Sequence, residues 1–167
     1  MISIKKINDK MYNLSKAKFI VTIVIFNFII TFMFMPIRIL YETYVGSIGG
    51  PSYPNFKTLF ISSIIIAPIL ETLISQMGII KLFSLSKKIK NNKLLLILIS
   101  AIFFGLGHNY SILYIIFAFM AGILLAYSFV VYEDKENSGF WVTAIIHSLM
   151  NLVSVIVYYI QLVILVQ

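Results

Sequence analysis

The chain has 167 residues, of which 60% are hydrophobic and only 11% are charged, and its mean hydropathy is +1.00. A folded soluble domain carries about 25% charged residues, so this composition excludes an ordinary water-soluble protein and predicts lipid as the solvent. The length fits a single membrane domain of about four to six spans at roughly 20 residues each, without a separate extramembrane domain.

Charge and cysteine content narrow the possible chemistry. The net charge is +7, and the lysines cluster at the ends of apolar runs, where they face phospholipid headgroups and orient the spans. We therefore interpret the basic excess as membrane topology, and we expect membrane lipids and no nucleic acid as partners. The sequence contains no cysteine, which excludes disulfides, a thiol nucleophile and thiolate metal ligands. Hydrolytic or metal chemistry would have to use His, Asp, Glu, Ser or Thr.

Apolar runs predict five membrane spans. A basic segment over residues 1–18, expected in the cytoplasm, precedes an apolar run over residues 19–37. The length of this run and the lack of a small-x-small cleavage site predict a retained first span and not a secretory signal. Further runs at residues 56–83, 94–107, 112–132 and 140–166 predict four more spans. The expected fold is an all-α, polytopic transmembrane bundle.

The segments between the predicted spans indicate loops and an orientation. Residues 38–57 contain three glycines and two prolines among tyrosines, which is typical of a loop at the membrane interface. A lysine-rich loop at residues 81–93 and a short polar hinge at residues 133–139 separate the later spans. Because cytoplasmic loops carry the excess of Lys and Arg, we expect a cytoplasmic N-terminus and an extracytoplasmic C-terminus in the cell membrane.

Four polar residues lie in the predicted spans or at the end of one, where polarity is costly. A carboxylate at the depth of Glu71, in the second span, costs at least about 2.5–3.5 kcal/mol unless it is paired or protonated. His108 ends the third span, and His147 lies about two turns into the fifth, with Asn151 one turn further on the same helical face. Each residue alone could simply hydrogen-bond between helices. The one embedded acid and the only two histidines, on three different helices, instead predict a shared site.

The predicted depths of these residues disagree. With a rise of about 1.5 Å per residue, Glu71 and His147 come out about 10 Å from the cytoplasmic face, whereas His108 comes out about 20 Å from it. A shared site therefore requires a third helix that is tilted or that starts deep in the membrane. Thr72, Ser75 and Gln76 add weaker polarity next to Glu71.

Three short segments carry a family resemblance. Residues 68–76 read Pro-Ile-Leu-Glu-Thr-Leu-Ile-Ser-Gln, residues 104–108 read Phe-Gly-Leu-Gly-His, and residues 147–151 read His-Ser-Leu-Met-Asn. In that order they resemble the E-E-x-x-x-R, F-x-x-x-H and H-x-x-x-N motifs of the CAAX protease and bacteriocin-processing family, also called CPBP or Abi. The resemblance covers residues 57–167 as a CPBP-like helical membrane core and leaves the first span outside it.

The first motif departs from the family pattern at two positions. Thr72 stands where the family has its second glutamate, and Gln76 stands where the family has arginine. The first glutamate, both histidines and the asparagine are retained.

The resemblance implies an intramembrane endopeptidase that hydrolyses a peptide bond in a peptide or membrane-protein substrate. It implies that Glu71 with His108 activates a water as general base, and that His147 with Asn151 donates hydrogen bonds to the tetrahedral oxyanion. This mechanism requires no cofactor. An alternative version uses Glu71, His108 and His147 as a His₂Glu zinc set with an open water position.

Two other functions stay open at the level of sequence. A non-catalytic membrane protein of the same fold, of the bacteriocin self-immunity or regulatory type, would use the polar cluster only for binding or bracing. The changes at Thr72 and Gln76 favour this alternative. A small transporter or channel would use the buried acid and the histidines as a proton relay, although the sequence has no inverted repeat.

Overall fold

The computed structural model describes residues 9–165, with side chains described through residue 160. Throughout this part of the chain the regular structure is helical and contains no strand, which confirms the predicted all-α class. The beginning of the predicted basic segment, residues 1–8, and the last residue of the fifth predicted span, Val166, lie outside the described residues, as does Gln167.

From residue 16 onward we number the helices α1 to α7. They are α1 (Lys16–Met33), α2 (Met35–Tyr44), α3 (Phe56–Phe83), α4 (Lys87–Lys90), α5 (Lys93–Leu106), α6 (Ile112–Glu136) and α7 (Gly139–Leu165). Four of them, α1, α3, α6 and α7, are long and apolar enough to cross a membrane. The described residues therefore form a polytopic helical membrane bundle.

The third predicted span is shorter than the sequence pattern indicated. Helix α5 has 14 residues, which rise about 21 Å, whereas the hydrocarbon core of a bilayer is about 30 Å thick. Within residues 9–165 the bundle therefore contains four apolar helices long enough to cross a membrane and one shorter apolar helix. His108 lies in the turn just beyond α5 and not inside a helix.

The predicted loop at residues 38–57 is wrong in its first part, because α2 continues to Tyr44. Pro36 lies in the first turn of α2, where its missing N–H removes no helical hydrogen bond, so it begins a helix and does not end the structured region. The loop proper contains all the glycines and prolines of this segment. Gly46, Gly49 and Gly50 all have positive φ angles.

The predicted hinge at residues 133–139 is also shorter than expected. Helix α6 runs to Glu136, and only Asn137 and Ser138 separate it from α7. Asn137 adopts the left-handed conformation with φ 51°, which asparagine tolerates better than most residues at a helix end. A Cβ at Gly139 would lie 2.6 Å from the Phe129 carbonyl oxygen, so this tight turn requires glycine.

Helix α3 contains two π-helical stretches, one on each side of the segment that ends with Glu71. They span Ser62–Ile66 and Thr72–Gly78. Each stretch offers one backbone carbonyl to another helix: the Ser63 oxygen accepts from Asn151 of α7 at 2.8 Å, and the Ser75 oxygen accepts from Ser100 of α5 at 2.7 Å. Such π-bulges frequently occur at functional sites, and here they tie α3 to α7 and to α5.

Acidic residues at the end of α6 pair with lysines from three other helices. Lys16 of α1 contacts Glu136 at 2.6 Å, Lys81 of α3 contacts Glu133 at 3.5 Å, and Lys93 of α5 contacts Asp134. Exposed pairs of this kind add little stability. They do show that these four helix ends lie at one end of the bundle, which we call the lysine end.

Candidate active site

The structure brings together all four residues singled out from the sequence. Glu71 Oε2 lies 3.5 Å from His108 Nε2 and 3.7 Å from His147 Nε2. These three residues and Asn151 line one cavity of about 620 Å³. The Glu71 side chain is 32% exposed and that of His147 only 6%, so the carboxylate is accessible from the cavity while the imidazole is enclosed.

The depth difference predicted for His108 does not separate it from Glu71. Its Nδ1 lies 2.8 Å from the carbonyl oxygen of Phe104, so the side chain points back along α5 by about one turn, or roughly 5.4 Å. Because α5 is short and the chain turns immediately after it, His108 reaches the level of Glu71.

The hydrogen bond to Phe104 also decides the tautomer of His108. A carbonyl oxygen only accepts hydrogen bonds, so Nδ1 must carry a proton and donate it. In the neutral imidazole, Nε2 is then the acceptor, and it faces Glu71. The distance of 3.5 Å between His108 Nε2 and Glu71 Oε2 is longer than a usual N–H···O hydrogen bond. A water beside the two atoms could donate a hydrogen bond to each of them.

Phe104 holds both imidazoles by packing. Its ring centroid lies 4.6 Å from that of His108 and 5.5 Å from that of His147, and its side chain is only 4% exposed. On its other face, His108 stacks on Tyr114 at 5.9 Å. The phenylalanine of the second motif therefore fixes the separation of the two rings, a role that the motif spacing alone does not reveal.

Asn151 is oriented by a backbone group, which no sequence pattern could reveal. Its Nδ2 donates to the Ser63 carbonyl oxygen at 2.8 Å, in the first π-helical stretch of α3. An amide has two N–H groups, so one N–H stays available to a ligand in the cavity.

The remaining walls of the cavity mix apolar and phenolic groups from the loop before α3, the first part of α3, the turn between α5 and α6, the start of α6, and α7. Its tyrosines are Tyr53, Tyr110, Tyr114 and Tyr158. The loop is held over this region by a hydrogen bond of 2.8 Å from Ser111 to the Ile48 carbonyl oxygen. Tyrosines are common at membrane interfaces, so their sequence positions alone did not mark them as cavity residues.

Two residues that depart from the first motif lie behind the carboxylate and do not line the cavity. Thr72 and Gln76 are both fully buried, on the side of α3 that packs inside the bundle. They are therefore part of the support of the site and not of its surface.

The zinc alternative concerns Glu71, His108 and His147. Among residues 9–165, no group of three His, Asp or Glu side chains is arranged as a metal-binding group. The chemical types of these side chains suit zinc, so a zinc set stays a prediction.

Comparison with known protein families identifies the family of this chain. A family model described as type II CAAX prenyl endopeptidase Rce1-like matches residues 53–153, which is more than half of the chain. The chain belongs to the Rce1-like family. This membership confirms the resemblance to CAAX proteases inferred from the three motifs. The Rce1-like region includes all four site residues and excludes α1 and α2. No curated protein and no solved structure matches the chain.

Proposed function

We propose that this Rce1-like protein is an intramembrane endopeptidase that hydrolyses a peptide bond with a water activated by Glu71 and His108. The observation that carries the proposal is the position of one carboxylate oxygen between two imidazole nitrogens, at 3.5 and 3.7 Å, on a cavity inside a membrane bundle. Membership in a CAAX endopeptidase family supports the same chemistry. The substrate would be a peptide or a membrane protein.

Water activation would use two hydrogen-bond acceptors that face each other in the cavity, the carboxylate of Glu71 and Nε2 of His108. A water between Glu71 Oε2 and His108 Nε2 would donate one proton to each, because the His108 proton resides on Nδ1. Its oxygen bonds to the substrate carbonyl carbon while a proton passes to Glu71. The C–N bond then breaks, and the leaving nitrogen takes that proton.

The charge that develops on the substrate oxygen requires donors, which His147 and Asn151 would supply. Asn151 keeps one N–H for this purpose, since Ser63 engages the other. His147 would donate from Nε2, which lies 3.7 Å from Glu71 Oε2. Removing one such donor typically lowers the rate by about 10²–10³.

A second candidate function is a non-catalytic immunity or regulatory protein of the same fold. It is favoured by Thr72 and Gln76, which replace the ionisable residues of the first motif with neutral ones. In that case the cavity would bind a peptide without cleaving it.

Replacing Glu71 with glutamine separates the two candidates, because glutamine keeps the size and removes the base. We expect purified protein in liposomes to cleave members of a transmembrane peptide library, detected by mass spectrometry, and Glu71→Gln to lower the rate by at least about 10². The matched control is Glu42→Gln on α2, since Glu42 is an exposed acid that pairs with Arg38 away from the cavity. Equal cleavage by Glu71→Gln and by the wild type would exclude the catalytic proposal.

A further inference from the structure

A second, smaller cavity adjoins the candidate active site on the side of α1. Its volume is about 200 Å³, and it lies where α1 packs against α6 and α7. His108, His147 and Asn151 line this cavity as well as the larger one, whereas Glu71 lines the larger one alone. The second cavity, here called the α1 pocket, therefore reaches three of the four site residues.

Helix α1 contributes two polar residues to this pocket, Asn27 and, one turn further on, Thr31. The helix is an apolar span outside the residues that match the family model, so neither the motifs nor the family includes Asn27. An amide in such a span is costly unless it has a hydrogen-bond partner. Within the part of the chain that the structure describes, the Asn27 side chain makes no hydrogen bond, and its backbone oxygen accepts from the Thr31 hydroxyl at 2.9 Å.

The lengths of the helices place Asn27 at the depth of the site residues. Helix α1 begins at the lysine end, and α7 begins two residues after α6 ends there. With a rise of about 1.5 Å per residue, Asn27 lies about 17 Å along α1, and His147 and Asn151 lie about 12 and 18 Å along α7. The amide is therefore level with the site and near the middle of a hydrocarbon core about 30 Å thick.

The size and the lining of the α1 pocket suit water. One water takes about 30 Å³ in the liquid, so the pocket has room for several, and a buried water needs two to four polar partners. Polar side chains come from three walls: Asn27 and Thr31 from α1, Tyr114 from α6 and Ser154 from α7. The Asn27 amide both donates and accepts hydrogen bonds, so it can bind water through either atom.

We propose that the α1 pocket is a water-binding site, in which Asn27 holds water that supplies the hydrolytic reaction while a peptide fills the larger cavity. The inference rests on the proposed function, since only a hydrolase consumes water. A peptide bound against Glu71 would displace water from the larger cavity, and lipid surrounds the bundle. The α1 pocket has about a third of the volume of that cavity, and it adjoins His108, which would help to activate the water.

Hydrogen–deuterium exchange of side-chain amides tests whether the pocket holds water. Full-length protein in lipid nanodiscs, labelled with ¹⁵N at its asparagine and glutamine amides, is transferred to D₂O and followed by NMR, and Asn27→Leu and Gln76→Leu assign the two signals of interest. A side-chain amide exchanges only where water reaches it. We expect Asn27 to exchange much faster than Gln76, which is 0% exposed. An Asn27 amide as protected as that of Gln76 would mean a dry pocket and would overturn the inference.

Steady-state cleavage of a transmembrane peptide tests what this water does. Asn27→Leu keeps the size of the side chain, suits an apolar span, and should lower kcat by about 2- to 10-fold, the effect of one neutral hydrogen bond, with KM unchanged. The control Thr22→Val removes a hydroxyl of α1 that bonds to Lys18 and lines neither cavity, and it should keep the wild-type kcat.

Two further outcomes distinguish the water site from the proposed function. Wild-type kcat in Asn27→Leu would overturn the role of the pocket in hydrolysis. The exchange measurement needs no catalysis, so a chain that cleaves no peptide while its Asn27 amide exchanges rapidly would refute the proposed function and support the water site.

Discussion

At the scale of single residues, the site depends on which atom each polar side chain offers to the cavity. Asn151 illustrates this, because its orientation is set by the carbonyl oxygen of Ser63. A carbonyl accepts only, so the amide nitrogen and not the amide oxygen must face it. The asparagine therefore acts through its N–H groups.

Asn151→Asp should remove these donors while keeping the shape of the side chain. We expect kcat to fall by about 10²–10³ with little change in KM, as for the loss of one oxyanion donor. The measurement is the steady-state rate of peptide cleavage in liposomes. Asn13→Asp is the control, because Asn13 is an exposed amide that bonds to Asp9 away from the cavity. Wild-type kcat in Asn151→Asp would argue against an oxyanion role.

The metal-free mechanism makes a separate prediction. Activity should survive exhaustive chelation, and elemental analysis of the active protein should find no stoichiometric zinc, since Glu71 and His108 provide the acceptors for water activation. Loss of activity on chelation, with recovery on adding zinc, would favour the zinc set of Glu71, His108 and His147 instead.

The convergence of the four candidate residues could be predicted because each is a polar residue in or at the end of an apolar run and each matches a motif position. The supporting residues could not. Phe104 packs against both imidazoles and Ser63 contributes a backbone oxygen, and neither role has a sequence signature. They depend on which helices are neighbours, and hydropathy does not specify neighbours.

At the scale of secondary structure, hydropathy predicted where the long helices lie, but not their ends or irregularities. The run at residues 94–107 looked like a span because its composition is apolar, although the helix is too short to cross alone. The π-helical stretches of α3 were not predicted, since they depend on carbonyls that are used by Asn151 and Ser100 on other helices. Helix α2 was missed because residues 38–57 were interpreted as one loop from their glycines and prolines, all of which lie after the end of the helix at Tyr44.

The close contact of α5 with α6 gives a prediction at this scale. A Cβ at Gly122 would lie 3.1 Å from both Ala101 Cα and Phe104 Cδ1. Gly122→Ala should therefore push α5 outward and move Phe104, which holds both imidazoles. We expect a loss of about 1–3 kcal/mol in stability, measured by denaturation in detergent, together with lower peptidase activity.

Gly107→Ala is the matched control for this change. Its added Cβ would meet neighbours at 3.4 and 3.5 Å, which is close to ordinary contact distance. It should be better tolerated than Gly122→Ala. Wild-type stability and activity in Gly122→Ala would contradict the prediction that the close contact between α5 and α6 positions Phe104 and the histidines.

At the scale of the whole molecule, the lysine end and the cavity lie at opposite ends of the bundle. The lysine end collects the start of α1, the end of α3 and the start of α5 around the end of α6. The cavity is bordered by residues 51–53, just before α3, and by Tyr110, between α5 and α6. If the lysine end faces the cytoplasm, as the excess of basic residues predicts, the cavity opens toward the extracytoplasmic side.

The absence of cysteine from the sequence makes this orientation directly measurable. Ser47 lies exposed in the loop before α3, and Ser86 lies exposed at the lysine end, between α3 and α4. In intact cells, a membrane-impermeant thiol reagent should label Ser47→Cys, whereas Ser86→Cys should react only after the membrane is opened. The reverse pattern would place the lysine end outside and the cavity mouth in the cytoplasm. Substrate would then approach Glu71 from the cytoplasmic side, so the same two variants also test from which compartment the proposed peptidase would take its substrate.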